Sequence, residues 1–293
     1  MQTVLLSGAE GFTGRYLQRA LEVRGYDVVP LDVEGRYPCD LTDCVATESA
    51  VRNAQPDAVV HLAALSFVRH DHPEEFYRVN VVGTLNLLRA LAGLNGRPRR
   101  VLIASSGTVY GTPDLGVLDE SVCPAPVNNY ASSKLAMEHI VRALWFKHLP
   151  IVITRPFNYT GPGQAKHFLI PKIVQHFRER LPFIELGNLN VFRDFSDVDD
   201  VVAAYVELLE SDVHSEVVNI CSGHGIALLD VIRIMNELAG YEIEVRVNPE
   251  FVRENEVPCL VGCNAKLRRL VNLPPPRPFA ETLRRMYEAH DSS

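Results

Sequence analysis

The sequence predicts an α/β fold: a doubly wound parallel sheet joined to a smaller, mostly C-terminal unit. Three observations point to it. Short apolar, β-branched runs alternate with longer stretches of helical periodicity through the first half of the 293 residues. A glycine-rich turn joins the first such run to the first helical stretch. From Arg155 onward the pattern becomes irregular and richer in Pro and Gly.

The elements follow in order. Thr3–Ser7 is an apolar run of strand length. Phe12, Tyr16, Leu17, Ala20 and Leu21 then recur at helical spacing, with Gly25 as the stop. Asp27–Leu31 and Ala58–Leu62 read as the second and third strands, Val101–Ala104 and Ile151–Thr154 as two more. Long helices are expected at about Glu74–Leu94 and Tyr130–Lys147. Beyond them come a helix at Phe168–Arg180, a strand at Val217–Cys221 that returns to the sheet, and a helix at Leu228–Leu238. Pro274-Pro275-Pro276 sets off a final helix around Phe279–Ala289.

Composition narrows the function. At 47% hydrophobic and 22% charged the chain carries enough apolar material for a large core and does not read as disordered. Its net charge of −7, without a Lys/Arg run, argues against a polynucleotide partner. No apolar stretch reaches the ~18–20 residues that span a bilayer. The start, Met1 to Leu6, has no basic n-region, so a cytoplasmic enzyme is expected. The six cysteines form no CxxC, and Cys259 and Cys263 lack a second ligand pair; reduced thiols and no metal are expected.

Gly8-Ala9-Glu10-Gly11-Phe12-Thr13-Gly14 lies between the first strand and the first helix, where a Rossmann-type fold binds a dinucleotide pyrophosphate. The spacing is GxxGxxG. Asp32, 24 residues beyond Gly8, is placed to accept hydrogen bonds from ribose hydroxyls and to repel a 2′-phosphate; starting a turn is its other reading. Arg15 and Arg36 are near enough in sequence to hold such a phosphate, so NAD(H) is favoured and NADP(H) stays open. Asp40-Leu41 is read as an adenine-edge contact.

Tyr130-Ala131-Ser132-Ser133-Lys134 sets a phenol and an ammonium one helical turn apart. A nearby cation stabilises phenolate and brings an ordinary pKa of ~10 toward the acid/base range. Ser105-Ser106-Gly107-Thr108-Val109-Tyr110-Gly111 follows the Val101–Ala104 strand, at the sheet edge where open α/β folds bind ligands. Ser106 there is placed to polarise a carbonyl while Tyr130 moves the proton. His61, in an apolar strand, reads as a satisfied core histidine.

These residues together resemble the extended short-chain dehydrogenase/reductases that act on nucleotide sugars. The resemblance runs over nearly the whole chain: GAEGFTG at 8–14, HLAA at 61–64, NVVGTLNLL at 80–88, SSGTVYG at 105–111, YASSK at 130–134, RPFNYTGPGQ at 155–164, RDFSDVDDVVAAY at 193–205 and RENEVP at 253–258. It implies Ser106, Tyr130 and Lys134 as catalytic residues and a structural Asn80. The cofactor would be held by Gly8, Gly11, Phe12, Thr13, Gly14, Asp32, Asp40 and Leu41 on the adenosine and phosphate side. Leu62, Ala63, Ala64 and Pro156, with Tyr130 and Lys134, would line the rest of it. For the sugar nucleotide it implies Ser66, Ser106, Thr108, Asn158, Lys172, Arg193 and Arg253, the arginines meeting phosphate; a helix-start cap is the other reading of Ser66.

The implied organisation is a dinucleotide-binding Rossmann domain at 1–163, to which the chain returns at about 193–222. Residues 164–192 and 223–293 then form the sugar-nucleotide unit. Within the family the later motifs look most like GDP-4-keto-6-deoxymannose reductases, which make GDP-rhamnose. Gly107 and Thr108 stand where related dehydratases carry acidic residues, which disfavours loss of water. A nucleotide-sugar 4-epimerase with bound NAD is the main alternative, and a non-catalytic dinucleotide-binding protein a further one. The family resemblance also implies a homodimer through a four-helix bundle formed by the two long helices.

Overall fold

The computed structural model describes residues 1–33, 36–66, 72–112, 116–252 and 256–289. The first half runs β1 (Thr3–Ser7), α1 (Phe12–Val23), β2 (Asp27–Leu31), α2 (Cys44–Ala54), β3 (Ala58–His61) and α3 (Pro73–Tyr77). A π-helical turn at Arg78–Gly83 leads into α4 (Thr84–Ala92), followed by β4 (Arg100–Ala104), α5 (Asn129–Leu144) and β5 (Ile151–Pro156). The second half holds β6 (Asn158–Thr160), α6 (Leu169–Arg178), β7 (Phe183–Leu186), β8 (Phe192–Asp197), α7 (Val198–Glu210) and β9 (Glu216–Ile220). It ends with β10 (Gly225–Ala227), α8 (Leu228–Ala239), β11 (Glu244–Val247), β12 (Cys259–Leu260), α9 (Ala265–Leu270) and α10 (Phe279–Glu288).

Six strands form one parallel sheet in the order β2-β1-β3-β4-β5-β9. Its strands are apolar on both faces, because helices cover both. Val4, Leu6, Leu102 and Val152 meet α1 and α7, whereas Leu5, Val59, Ile103 and Ile153 meet α2, α4 and α5. This is the Rossmann-type α/β fold that the alternating pattern predicts.

A separate core joins α6, α8 and α10 to β7 and β11, with Phe177, Ile184, Met235 and Leu283 fully buried. Strand β8 pairs with β6, β10 and β12 between the two cores. Asp194 on β8 fastens this region. Its buried carboxylate accepts hydrogen bonds from the amides of Ser222 (2.8 Å) and Gly223 (2.9 Å) and from the Ser222 hydroxyl (2.7 Å). Three residues on, Asp197 caps α7 and also accepts from Thr282 (2.7 Å) and Arg285 (3.0 Å), which pins α10.

The predicted strands fall within one or two residues of those observed. The expected helix at Glu74–Leu94 differs: it divides into α3, the π-helical turn and α4. At the end of that turn Gly83 packs on Leu41, where an added Cβ would come 3.2 Å from the leucine Cβ. The Thr84 hydroxyl meanwhile bonds the Asn80 carbonyl at 2.7 Å. Helices α2, α7 and α9 and the short strands β6, β7, β8, β10, β11 and β12 have no counterpart in the element reading. No helix among the described residues is long and apolar enough to cross a membrane.

Candidate active site

Neighbours of β1 leave it in opposite directions, β2 on one side and β3 on the other, so the sheet's topological switch point lies at its carboxyl end. The glycine loop begins there. Gly8 has φ +75°, and a Cβ on it would approach the Ala63 amide nitrogen to 2.9 Å, so the loop lies directly against Leu62–Ala64. A Cβ on Gly14 would fall 2.1 Å from the Gly8 carbonyl oxygen. Gly11, extended and without a side-chain cap, opens α1. A bare backbone turn leading into an uncapped helix start fits a pyrophosphate, because its amides are donors free of side-chain obstruction.

Asp32, just past β2, does more than begin a turn. Its two carboxylate oxygens accept the amides of Gly8 (3.0 Å) and Ala9 (3.1 Å), clasping the loop from behind. Phe12 stacks on Tyr159 with ring centres 6.2 Å apart, and the Thr13 hydroxyl lies 2.7 Å from that of Tyr159, so α1 is tied to β6. The Asp40 carboxylate accepts the Thr42 amide at 2.8 Å, a bond that holds it below the usual carboxylate range. Leu41 is buried, and its carbonyl accepts from the Asn86 side chain at 2.9 Å. Arg15 is exposed, and Arg36 approaches Asp27 at 3.9 Å.

Ser106 follows β4 and caps a 3-10 turn, Gly107–Tyr110, its Oγ accepting the Thr108 amide at 3.2 Å. The Ser106 and Thr108 hydroxyls are 2.8 Å apart. Gly107 has no room for a side chain, since a Cβ would meet the Phe157 ring at 2.8 Å. Asn128 caps α5 through the Ala131 amide (2.9 Å), which fixes Tyr130 in the first turn and Lys134 one turn further on. The Tyr130 phenol lies close enough to the Ser106 side chain for that hydroxyl to influence its ionisation. The buried Lys134 ammonium donates to the Ala104 carbonyl at 2.8 Å.

Burial is the first influence on the ionisation of both groups. Burial pushes the Tyr130 phenol up to about 12, with the nearby Ser106 hydroxyl pulling the other way. Burial pushes the Lys134 ammonium down to about 8, and the Glu138 carboxylate opposes that shift. The reason is location: both groups sit against the sheet edge, and the ammonium is anchored to a backbone carbonyl.

Pro156 ends β5, and Asn158 opens β6 with its Oδ1 buried and without a partner among the described residues. An orphaned buried acceptor at this edge fits a donor on a ligand. Arg193 bonds the carbonyls of Phe192 (2.8 Å) and Pro258 (3.3 Å) and pairs with Glu256. Beside it lies a cleft of about 190 Å³ bounded by Asn188, Leu189, Asn190, Val191, Glu256 and Pro258. Lys172 donates to the Glu185 carbonyl at 2.7 Å and sits 4.4 Å from the Phe251 ring centre. Ser66 is exposed and does not cap α3, which starts at Pro73 after His72. Arg253 lies outside the described residues.

Two residues to which the sequence reading assigned no role stand under the site. Arg155 and Glu138 form a buried, two-pronged ion pair (2.9 and 2.6 Å), and the guanidinium lies 4.8 Å from the Tyr110 ring centre. Glu138 follows Lys134 by four residues, a helical spacing that marks it as a neighbour of the ammonium. Among the described residues no group of His, Cys, Asp and Glu is placed to hold a metal, and all six cysteines are free.

Comparison with known proteins shows the family and agrees with the fold. Residues 4–221 match the model of the "NAD dependent epimerase/dehydratase family". The chain is 38% identical over 266 residues to GDP-6-deoxy-D-talose 4-dehydrogenase of Aggregatibacter actinomycetemcomitans, covering 90% of this chain and 89% of that one. It is 32% identical over 297 residues to GDP-6-deoxy-D-mannose reductase of Pseudomonas aeruginosa, covering 97% and 95%. The structure of RMD from Pseudomonas aeruginosa complexed with NADPH superposes with a TM-score of 0.86 at 31% identity, covering 98% and 96%. The chain belongs to the NAD dependent epimerase/dehydratase family, the extended short-chain dehydrogenase/reductases. It is an NAD(P)-dependent oxidoreductase of that family.

Proposed function

We propose that the protein reduces the C4 ketone of a nucleotide-linked 4-keto-6-deoxyhexose, with GDP-4-keto-6-deoxymannose as substrate and GDP-rhamnose as product. The observation that carries the reading is the gathering of Ser106 and Tyr130 beside the anchored Lys134, with Gly107 and Thr108 in place of any carboxyl acid. The two GDP-6-deoxysugar enzymes among its relatives support the substrate class.

The bound nicotinamide dinucleotide supplies a hydride to the ketone carbon. Every other task falls to side chains. Tyr130, a protonated phenol at neutral pH, gives its proton to the carbonyl oxygen as negative charge develops there. The Ser106 hydroxyl, fixed by Thr108, donates to the same oxygen. Lys134 supplies positive potential behind the phenol and a donor for ribose hydroxyls. Asn158 offers its unpartnered oxygen to a sugar hydroxyl, and Arg193 exchanges Glu256 for the nucleotide diphosphate. Lys172, Ser66, Thr108 and Arg253 complete the sugar-nucleotide contacts in this reading.

The cofactor is read as NAD(H), on the carboxylate of Asp32; the NADPH held by the Pseudomonas structure keeps NADP(H) in the test. The homodimer is proposed through the π-helical turn, α4 and α5, whose outer surfaces expose Val82 and Leu144.

The test is loss of the reduced cofactor's absorbance on adding GDP-4-keto-6-deoxymannose, run with NADH and with NADPH. One sugar reduced per cofactor consumed is expected, with Tyr130→Phe lowering turnover by ~10²-fold or more while cofactor affinity holds. Interconversion of UDP-sugars without net cofactor loss would establish the epimerase instead.

A further inference from the structure

His61 closes β3 and is buried, yet the proposed chemistry does not use it. Its Nδ1 lies 2.6 Å from Ser7 Oγ and its Nε2 2.9 Å from Thr84 Oγ1. The partners assign its proton. Thr84 has one hydroxyl hydrogen, and it donates that hydrogen to the Asn80 carbonyl at 2.7 Å. Toward His61 the threonine therefore accepts, so Nε2 carries the hydrogen and Nδ1 is bare. Ser7 then donates to Nδ1 and accepts the Ala63 amide at 3.3 Å.

The chain of bonds continues through Asn80. Its Oδ1 accepts the Leu65 amide at 2.9 Å, and its Nδ2 donates to Ser133 Oγ at 2.9 Å and to the Leu65 carbonyl at 3.2 Å. Ser133 spends its own hydrogen on the Tyr130 carbonyl at 2.7 Å. One end of this buried line is the residue before Gly8, and the other is the backbone of Tyr130. Five side chains lie along it, each with a settled donor direction.

We propose that His61, held as the neutral Nε2–H tautomer, is a positioning residue that sets the register between the glycine loop and the helix carrying Tyr130 and Lys134. The structural reason is directional. A hydrogen moved to Nδ1 would face the Ser7 hydroxyl, which would have to turn its own hydrogen away, and Thr84 would lose its donor. Burial, followed by the Lys134 ammonium, keeps the ring neutral by pushing its pKa down to about 3. The proposal rests on the reading that these two segments serve the cofactor and the catalytic tyrosine.

Its test needs no sugar substrate, so it stands or falls apart from the reductase assay. In ¹⁵N-labelled full-length protein, long-range ¹H–¹⁵N spectra should show His61 with a protonated Nε2 and a bare Nδ1 between pH 5 and 8. Thr84→Val keeps the side-chain shape but removes the hydroxyl. Binding of NADH or NADPH, whichever binds the parent protein more tightly, is followed by nucleotide fluorescence. Thr84→Val should weaken it by about tenfold, the scale of one buried hydrogen bond, and Thr84→Ser should restore it to within about twofold. A bare Nε2 in the parent protein, or a Thr84→Val affinity within about twofold of the parent, overturns the proposal. If Thr84→Val does not fold, Ser7→Ala takes its place, with the same tenfold loss expected and the same twofold limit.

Discussion

Glu138 faces two buried cations with one charge. It grips the Arg155 guanidinium in two hydrogen bonds and also supports the ammonium of Lys134 one turn earlier. The ammonium is held near pKa 8, below its ordinary value, so its charge is lost as pH rises through that value. Catalysis that depends on the charged form should therefore have an alkaline limb near pH 8. Glu138→Gln removes the group that raises the Lys134 pKa. The limb should move to lower pH, and unfolding should become easier by about 3–5 kcal/mol as Arg155 loses its counter-charge. A kcat/KM profile against pH, with thermal unfolding beside it, checks both; a limb that stays in place removes Glu138 from the role. At this scale Ser106, Tyr130 and Lys134 were legible because their spacing is local: a strand end, then one helical turn. Arg155 as a partner of Glu138 was not, because the two meet only when β5 lies beneath α5. His61 was legible as a satisfied core residue, but Ser7 and Thr84 come from elements on either side of it in the chain.

The glycine loop is the element whose shape tolerates least. A Cβ on Gly14 would lie within 2.6 Å of the carbonyl oxygens of both Gly8 and Ala9, all of it fixed backbone. A Cβ on Gly11 would come only to 3.1 Å from the Gly8 oxygen. Gly14→Ala should thus displace the turn, weaken dinucleotide binding by on the order of 10–100-fold and cost ~1–3 kcal/mol of stability. Gly11→Ala should do clearly less on both counts, and calorimetric titration of the two variants decides it. The strands of the parallel sheet were readable because burial on both faces leaves nearly unbroken apolar runs. Helix α2 was not: its sequence, Cys44 to Ala54, mixes Thr, Glu, Ser, Arg and Asn, and few of its residues are buried. Strands β10 and β12, three and two residues long, carry no period at all and exist because Asp194 and β8 hold them. The π-helical turn was equally hidden: Gly83 at its end meets Leu41, a residue far back in the chain.

Across the molecule the chain leaves the main sheet after β5, builds much of the second core, and comes back to supply β9. Helix α7, on the way back, covers one face of the sheet with Val198, Val201, Ala204, Tyr205 and Leu208. Tyr205 also bonds Thr154 on β5 at 2.8 Å. A fragment ending at residue 163 keeps the whole glycine loop and the Ser106, Tyr130 and Lys134 set but loses α7 and β9. At about 1.5–3 kcal/mol for each large side chain uncovered, that loss exceeds the stability of an ordinary domain. The fragment should show no cooperative thermal transition, and the full chain should show one; a cooperative transition in the fragment would refute the argument. The return of the chain at β9 was visible in the sequence as an apolar run, whereas the helix before it was read only as part of a motif.

The clasp of Asp32 on the amides of Gly8 and Ala9 constrains how cofactor preference in this protein can change over time. If the cofactor is NAD(H), as proposed, one carboxylate both repels a phosphorylated ribose and keeps the loop in shape. A lineage drifting toward the phosphorylated dinucleotide therefore cannot shed the charge by a single neutral step. Asparagine has one acceptor oxygen for two amides, and alanine has none. The first substitution along that path must come elsewhere, where it restrains the loop in advance, and only then is position 32 released to vary.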